Sequence, residues 1–357
     1  MRILQLIDSL EAGGAERMAV NYANALVQYI EFSGLVVTRK EGPLLQQVDP
    51  KVSYLFLNKK STFDFRALLR LRKFVRQNKV SVIHAHSTSF FLAFLLKVSC
   101  PSLKMIWHDH YGDSEFLDKR PSLALKRILP FFNGVLAVNQ NLKVWAEQKL
   151  KCNTVIYLPN FPSEENTVSE HTVLNGRNGK RILCLANLRV QKNHFLLLEV
   201  AKRLKASHPD WTFHLVGKDF GDAYSRQIKD FILEHHLEKN VFLYGTKEDV
   251  KNILEQSAIA ILTSQSEGLP VALLEYGWNK KPVVVTAVGE IPSLIQNGQN
   301  GLLVTVHDDK MFYDSVVSLI ENDALQTDMG NSLYQTVAAQ YAEKAILKQY
   351  LNWVKTI

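Results

Sequence analysis

Cysteine is scarce in this chain. Cys100, Cys152 and Cys184 are the only three among 357 residues, and they stand too far apart to suggest a disulfide framework or a thiolate metal site. A reducing compartment is expected. Long apolar runs are missing too: the longest, Phe90 to Leu96, falls well short of the roughly 20 residues that span a bilayer. The apolar stretch at the N-terminus is cut by Asp8, too early for the core of a signal peptide. The expectation is a cytoplasmic chain without a transmembrane segment. Neither Gly-x-Gly-x-x-Gly nor a Walker lysine loop occurs, which removes the usual dinucleotide and P-loop fingerprints. No Asp-x-Asp occurs either, which argues against a diphosphate held through a carboxylate-bound divalent metal. No metal or other cofactor is expected.

What is present is an ordinary globular composition, 46% hydrophobic and 22% charged, in a chain long enough for two cores. The net charge of +7 is unevenly placed. Residues 1–165 hold 22 Lys and Arg against 14 Asp and Glu, and the remainder holds 20 against 21. The N-terminal part therefore carries +8 and the rest −1. Such asymmetry points to an anionic partner, whether a lipid surface, a phosphorylated acceptor or nucleic acid; solubility is the alternative reading.

Short apolar strands alternate with amphipathic helical stretches. Ile3–Ile7, a helix from about Ala15 to Tyr29, Gly34–Val37, a basic helix near Phe65–Gln77 and Val80–His84 make up the first series. Arg181–Leu185, a helix from Phe195, Thr212–Val216, Val241–Tyr244, Ile259–Leu262 and Val283–Thr286 make up the second. Both spell an α/β fold with a parallel sheet under helices. The polar stretch 162–180 is the expected hinge. The expected division is 1–165, 166–333, and a last helical stretch 334–357 that packs back on the first domain.

The segment Ser264-Gln-Ser-Glu267-Gly268-Leu269-Pro270, followed by a helix carrying Glu275, comes directly after the strand Ile259–Leu262. Free N–H groups and the helix dipole around Gly268, Leu269 and Pro270 would favour an anion such as a diphosphate. Glu267 and Glu275 lie two helical turns apart, near enough to the same side to accept hydrogen bonds from one polyhydroxylated ligand. A second strand-to-helix loop, Asn187-Leu-Arg189-Val-Gln-Lys192-Asn-His194, adds two cations that would neutralise a leaving phosphate. Alone, such a pair is equally the mark of a solvated loop.

Glu267 and Glu275 with seven residues between them resemble the Glu-x7-Glu element of retaining glycosyltransferases of family 4. Pro282-Val-Val-Val, Val288-Gly-Glu-Ile-Pro and Asn297-Gly-Gln-Asn-Gly-Leu-Leu-Val resemble the segments that follow it, and Lys192 sits in a matching Gln-Lys-Asn-His context. The likeness is strong over residues 181–305 and weaker before them, where Gly13-Gly14-Ala-Glu16 resembles a glycine loop near the donor phosphates. The resemblance implies a GT-B fold of two Rossmann-like domains facing each other across a cleft, with the nucleotide-sugar donor on the C-terminal one and the acceptor on the other. It implies that Glu275 holds the ribose, Glu267 the sugar hydroxyls, and Lys192 with an arginine the diphosphate, assisted by the backbone at Gly268 and Leu269. Gly13, Gly14, Gly217, Gly245, Thr246 and Pro270 complete the implied donor contacts. Attack is expected on the face the leaving group departs from, without a side-chain nucleophile, and the donor is expected to be a UDP-sugar.

Two positions depart from the family pattern. Ala186-Asn187 stands where many members carry Gly-Arg, so that Arg189 either reaches the diphosphate from a shifted position or points to solvent. Glu290 replaces the second glycine after Gly289.

In the first domain Trp107-His108-Asp109-His110-Tyr111-Gly112 ends an apolar strand, with both histidines on one side. The resemblance places a histidine here facing the acceptor, so His108 and His110 are candidates to donate a hydrogen bond to donor or acceptor, and His86 to line the same cleft. His84 is expected in packing, and no third metal ligand is evident near His108 and His110. The helix Phe65–Gln77 combines five basic residues with Leu68, Leu69, Leu71, Phe74 and Val75. It suits an anionic membrane surface, and Lys119-Arg120 and Lys126-Arg127 add to that charge. The expected activity is a hexosyl transfer in surface polysaccharide synthesis, to a saccharide or polyprenyl-linked saccharide acceptor, peripheral to the inner face of the cytoplasmic membrane. Rival readings are a GT-B nucleotide-sugar epimerase, an inactive nucleotide-sugar-binding scaffold and a basic nucleic-acid-binding protein; the last lacks any recognised motif.

Overall fold

The structure, a computed structural model, describes residues 1–163 and 171–357. Two units form: Met1–Phe161 together with Glu343–Ile357, and Pro162–Ala342. The expected boundary at 165/166 lies outside the described residues. Thr172 to Asn175, inside the expected hinge, are tied down on the second unit: Thr172 donates to Asp249, and the backbone N–H of Asn175 donates to the Tyr244 hydroxyl. The stretch 334–357 is two helices. Asp323–Gln340 runs on through residue 334 and buries Met329, Leu333 and Val337 in the second unit, while Glu343–Thr356 buries Ile346, Leu347, Tyr350 and Val354 in the first.

The first sheet contains β1 (Arg2–Ser9), β2 (Phe32–Lys40), β3 (Ser53–Phe56), β4 (Val82–His86), β5 (Lys104–Asp109), β6 (Gly134–Ala137) and β7 (Val155–Tyr157), ordered β3-β2-β1-β4-β5-β6-β7. The second contains β8 (Arg181–Leu185), β9 (Thr212–Val216), β10 (Val241–Gly245), β11 (Ile259–Leu262), β12 (Val283–Thr286) and β13 (Leu302–Val304), ordered β10-β9-β8-β11-β12-β13. All paired neighbours are parallel. Helices cover both faces, which is why the strands are apolar on both sides. In the first unit Leu4, Leu6 and Ile83 pack under helices Phe65–Gln77 and Phe90–Ser99, while Ile7, Leu35 and Val37 meet Ala19, Val20 and Ala23 of helix Gly14–Leu26. In the second, Val284 faces one core and Val283 and Val285 the other.

Strand order reverses between β1 and β4, and again between β8 and β11. The carboxyl ends of the strands on either side of such a reversal leave a crevice because their connections run to opposite faces. The Gly13 loop follows β1, the His86 end belongs to β4, the Lys192 loop follows β8 and the Glu267 loop follows β11. Every strongly marked loop thus emerges at the end of its sheet where ligands bind.

The basic helix Phe65–Gln77 begins at Asp64, whose carboxylate accepts from the Ala67 N–H at 3.0 Å. It buries Ala67, Leu71 and Val75 at four-residue spacing, but Leu69 is 61% exposed, on the outside rather than in the apolar face.

Candidate active site

In the second unit the two marked loops meet through side chains. Lys192 Nζ lies 2.5 Å from Glu267 Oε1, and Ser264 donates to the same oxygen at 2.6 Å. Glu267 is 5% exposed; a carboxylate so buried requires this pairing, since an unpaired charge there would be strongly disfavoured. The loops are also joined by their backbones: Thr263 donates to the Lys192 carbonyl and the Gln265 N–H to the Gln191 carbonyl. Lys192 reaches Glu267 because the chain turns at Asn193, which is left-handed at φ 48°, a conformation Asn tolerates better than most residues.

Two glycines let this edge close. A Cβ on Gly217 would stand 2.1 Å from the Ala186 carbonyl oxygen, and one on Gly289, whose φ is +55°, would stand 2.2 Å from that of Glu267. Gly217 donates its N–H to the Gly245 carbonyl, bringing the Gly245-Thr246 turn alongside. Glu290 is buried, and its N–H donates to the Gly268 carbonyl, so the residue in place of the second glycine holds the Glu267 loop through its backbone. Gly268, Leu269 and Pro270 are buried at the start of helix Val271–Trp278, where Pro270 stands at the N-cap and makes no side-chain capping bond. The leading N–H groups of a helix are in general a favourable place for an anion. Glu275 is half-buried on that helix.

Arg189 is exposed, and its guanidinium stacks on Phe220 at 4.4 Å, with Lys218 Nζ 5.1 Å from the same ring. The Lys218 N–H is held by Asn187 Oδ1 at 2.7 Å. Lys218 and Phe220 were not evident beforehand, because they belong to a different strand end, after β9, that only the sheet order brings beside the Lys192 loop. Beneath the site burial pushes the Cys184 thiol up to about 12 and the His194 imidazole down to about 4, the latter with help from Lys192. Neither is a reactive group there.

The first unit handles polarity differently. His84 and His86 on β4 and His108 and His110 at β5 form a block of stacked imidazoles because His86 and His108 are register partners on adjacent strands. His84 Nε2 lies 3.1 Å from His108 Nδ1, and His86 Nδ1 lies 3.0 Å from His110 Nε2. Tyr350 on the last helix reaches His84 Nδ1 at 3.1 Å, and Gln5 on β1 reaches His86 Nε2 at 2.8 Å. Burial drives His84, His86 and His108 far below the usual imidazole range and His110 down to about 3, so all four are neutral.

His86 and His108 are therefore not surface groups. The strand ends that expose a loop bury these side chains, and only His110 retains accessible surface. The third ligand not seen in the sequence exists in space: ring nitrogens of His84, His86 and His108 lie within 4.8 Å of one another. The His84 and His108 rings, however, lie 17° from parallel and share an edge-to-edge hydrogen bond. Those two nitrogens are thus engaged with each other.

Arg120 corrects a further expectation. It pairs with Asp109 at 2.6 and 2.8 Å, its side chain 8% exposed, and stacks on Trp145 and Tyr111. It braces the strand end that carries His108 and His110, and adds nothing to the surface charge. The Gly13-Gly14 pair opens helix Gly14–Leu26, and the Glu16 carboxylate folds back to accept from Ser9 at 3.3 Å.

Two doubly wound units, each with a polar cluster at its strand-order reversal, define a Rossmann-type α/β protein. Comparison with known proteins agrees. The model for glycosyl transferases group 1 matches residues 170–336, and that for glycosyltransferase family 4 matches residues 12–161. The chain belongs to the glycosyltransferases these models describe, and its fold is GT-B. It is 24% identical to a poly(ribitol-phosphate) alpha-N-acetylglucosaminyltransferase of Staphylococcus aureus over 69% of this chain and 48% of that protein. It is 23% identical to a UDP-Gal:alpha-D-GlcNAc-diphosphoundecaprenol alpha-1,3-galactosyltransferase of Escherichia coli over 83% and 82% of the two chains. Anabaena HepE, solved with UDP and glucose, superposes with a TM-score of 0.83 over all of both chains at 17% identity.

Proposed function

We propose that this glycosyltransferase is a retaining, metal-independent enzyme that moves a hexose-type sugar from a UDP-sugar to a saccharide or lipid-linked saccharide in surface polysaccharide synthesis. The observation that carries the reading is the Lys192–Glu267 pair beside the start of helix Val271–Trp278. An ammonium has three hydrogens; one is committed to Glu267, leaving others for a diphosphate that the helix start also attracts. Arg189 and Lys218 add cationic charge at the same strand ends, in the place a divalent metal would otherwise fill. Glu267 addresses the sugar hydroxyls and Glu275 the ribose. The acceptor hydroxyl bonds to the anomeric carbon on the face from which the nucleoside diphosphate leaves, and its proton passes to the departing phosphate oxygen. The galactosyl and N-acetylglucosaminyl transfers in the relatives' names support the hexose-type donor, and the diphosphoundecaprenol of one supports a lipid-linked acceptor.

Such an acceptor implies work at an anionic inner membrane face. Among the described residues no helix is long and apolar enough to cross a membrane. Helix Phe65–Gln77 presents Arg66, Arg70, Lys73 and Arg76 outward together with Phe65, 70% exposed, and Leu69, and Phe63 just before it packs on Phe91. Exposed aromatic and basic groups on one helix suit a peripheral contact.

The test is a metal-free thermal-shift panel of UDP, GDP, ADP and their sugar conjugates on the wild type and Lys192→Ala, followed by product analysis with the stabilising donor. Stabilisation by uridine nucleotides that Lys192→Ala abolishes is the expected result. No shift at millimolar nucleotide would overturn the donor site, and inversion at the anomeric carbon would overturn the mechanism.

A further inference from the structure

The hydrogen bonds of the histidine block have a direction, and Gln5 sets it. Gln5 Oε1 can only accept, so His86 Nε2, 2.8 Å away, carries the hydrogen. A neutral imidazole has one N–H, which leaves His86 Nδ1 bare. That atom lies 3.0 Å from His110 Nε2, so His110 Nε2 carries the hydrogen and His110 Nδ1 is bare in turn. The chain ends there, on the one ring of the four that keeps accessible surface. We propose that Gln5 and His86 are positioning residues that fix His110 as a hydrogen-bond acceptor for a hydroxyl of the bound saccharide. This rests on the sugar-transfer reading above, and it reverses the expectation that His110 donates.

The orientation of the Gln5 amide is the pivot. Its Nε2 is buried beside the Tyr350 oxygen, near enough to oppose the effect of burial on that phenol, but outside hydrogen-bond geometry. Turning the amide over would place Nε2 against His86 and reverse every hydrogen in the chain, leaving His110 with Nδ1–H and no acceptor. The other chain, Tyr350 to His84 to His108, ends on a buried His108 Nε2 with no partner, so it has no outlet to a ligand. Ring basicity is low throughout, which makes His110 an acceptor that orients a hydroxyl rather than a base that removes its proton.

Two-bond 1H–15N correlation on protein labelled with 15N-histidine distinguishes the tautomers, with His110 assigned from the signals lost in His110→Asn. The expected wild-type pattern has His86 and His110 both protonated at Nε2. Protonation of His110 at Nδ1 overturns the proposal, and this arm needs no variant at Gln5 to fold. In Gln5→Leu the His110 signals should move to a mixture of tautomers; an unchanged pattern in the folded variant removes Gln5 from the role. With the donor identified by the nucleotide panel, Gln5→Leu should raise the KM of the saccharide substrate about tenfold while the thermal shift with UDP stays as in the wild type. A protein without transferase activity would still report its tautomers, so the two readings fail separately.

Discussion

The two units share one topology and fill the same place in it by opposite means. At its strand-order reversal the first unit stacks four neutral imidazoles and braces the strand beneath them with the buried ion pair Asp109–Arg120. The second buries a carboxylate against a lysine beside the start of a helix. Neutral polar groups orient hydroxyls, whereas fixed cations and free N–H groups stabilise phosphate charge. The contrast teaches that the fold supplies the crevice, and that the charge state of a few side chains decides which part of a ligand each crevice suits.

Acid should separate the units most strongly. A histidine whose folded pKa is depressed is neutral in the folded chain and protonated in the unfolded one as pH falls below about 6.5. Stability is then lost between that pH and the folded pKa, at up to about 1.4 kcal/mol per pH unit for each histidine. The first unit holds four such groups, and the second holds His194, shifted to about 4, and His214, shifted to about 3. Hydrogen exchange between pH 7 and pH 5 should show the first unit losing protection well before the second; equal losses would break the comparison.

Next in size, Arg120→Met strands the Asp109 carboxylate and should cost about 3–5 kcal/mol by urea denaturation, concentrated in the first unit. An effect below 1 kcal/mol would mean that the pair braces nothing. Lys192→Ala and Glu275→Ala should each lower kcat/KM for the donor more than tenfold, upwards of about 1.4 kcal/mol, whereas His110→Ala should leave UDP binding at its wild-type level. Loss of UDP binding in His110→Ala would put both units on the same part of the ligand. Smallest, Arg66→Glu with Arg70→Glu should weaken sedimentation with phosphatidylglycerol vesicles by about 1 kcal/mol per residue, while Lys202→Glu in the second unit should not. Equal effects would show that overall charge, not the aromatic-basic helix, governs the contact.

Much of this was legible in the chain itself. The strands Arg181–Leu185, Thr212–Val216, Ile259–Leu262 and Val283–Thr286 and the helix Phe65–Gln77 occur with the bounds their periodicity marks. Other strands were less visible: Leu302–Val304 has only three residues, and Ser53–Phe56 is half-buried throughout, unlike the fully buried apolar run Ile259–Leu262. Leu69 and Arg120 mislead for one reason. A single sequence shows that a residue is apolar or charged, not whether a neighbouring element covers it, and here Leu69 faces outward while Arg120 lies under Trp145 and Tyr111. Gln5 gave a faint signal, as the polar residue inside the apolar run Ile3–Ile7.

By itself, then, the sequence determined the two α/β series, the glycine and carboxylate loops between strand and helix, and the uneven charge, because each depends on residues close together along the chain. Only the tertiary structure decided that Gln5, His86 and His110 form one hydrogen-bonded line, that Arg189 rests on Phe220, and that the final helix supplies Tyr350 to the first unit. Those contacts join residues 24 to 266 positions apart. No local pattern encodes them; they exist because parallel strands of distant origin are hydrogen-bonded side by side.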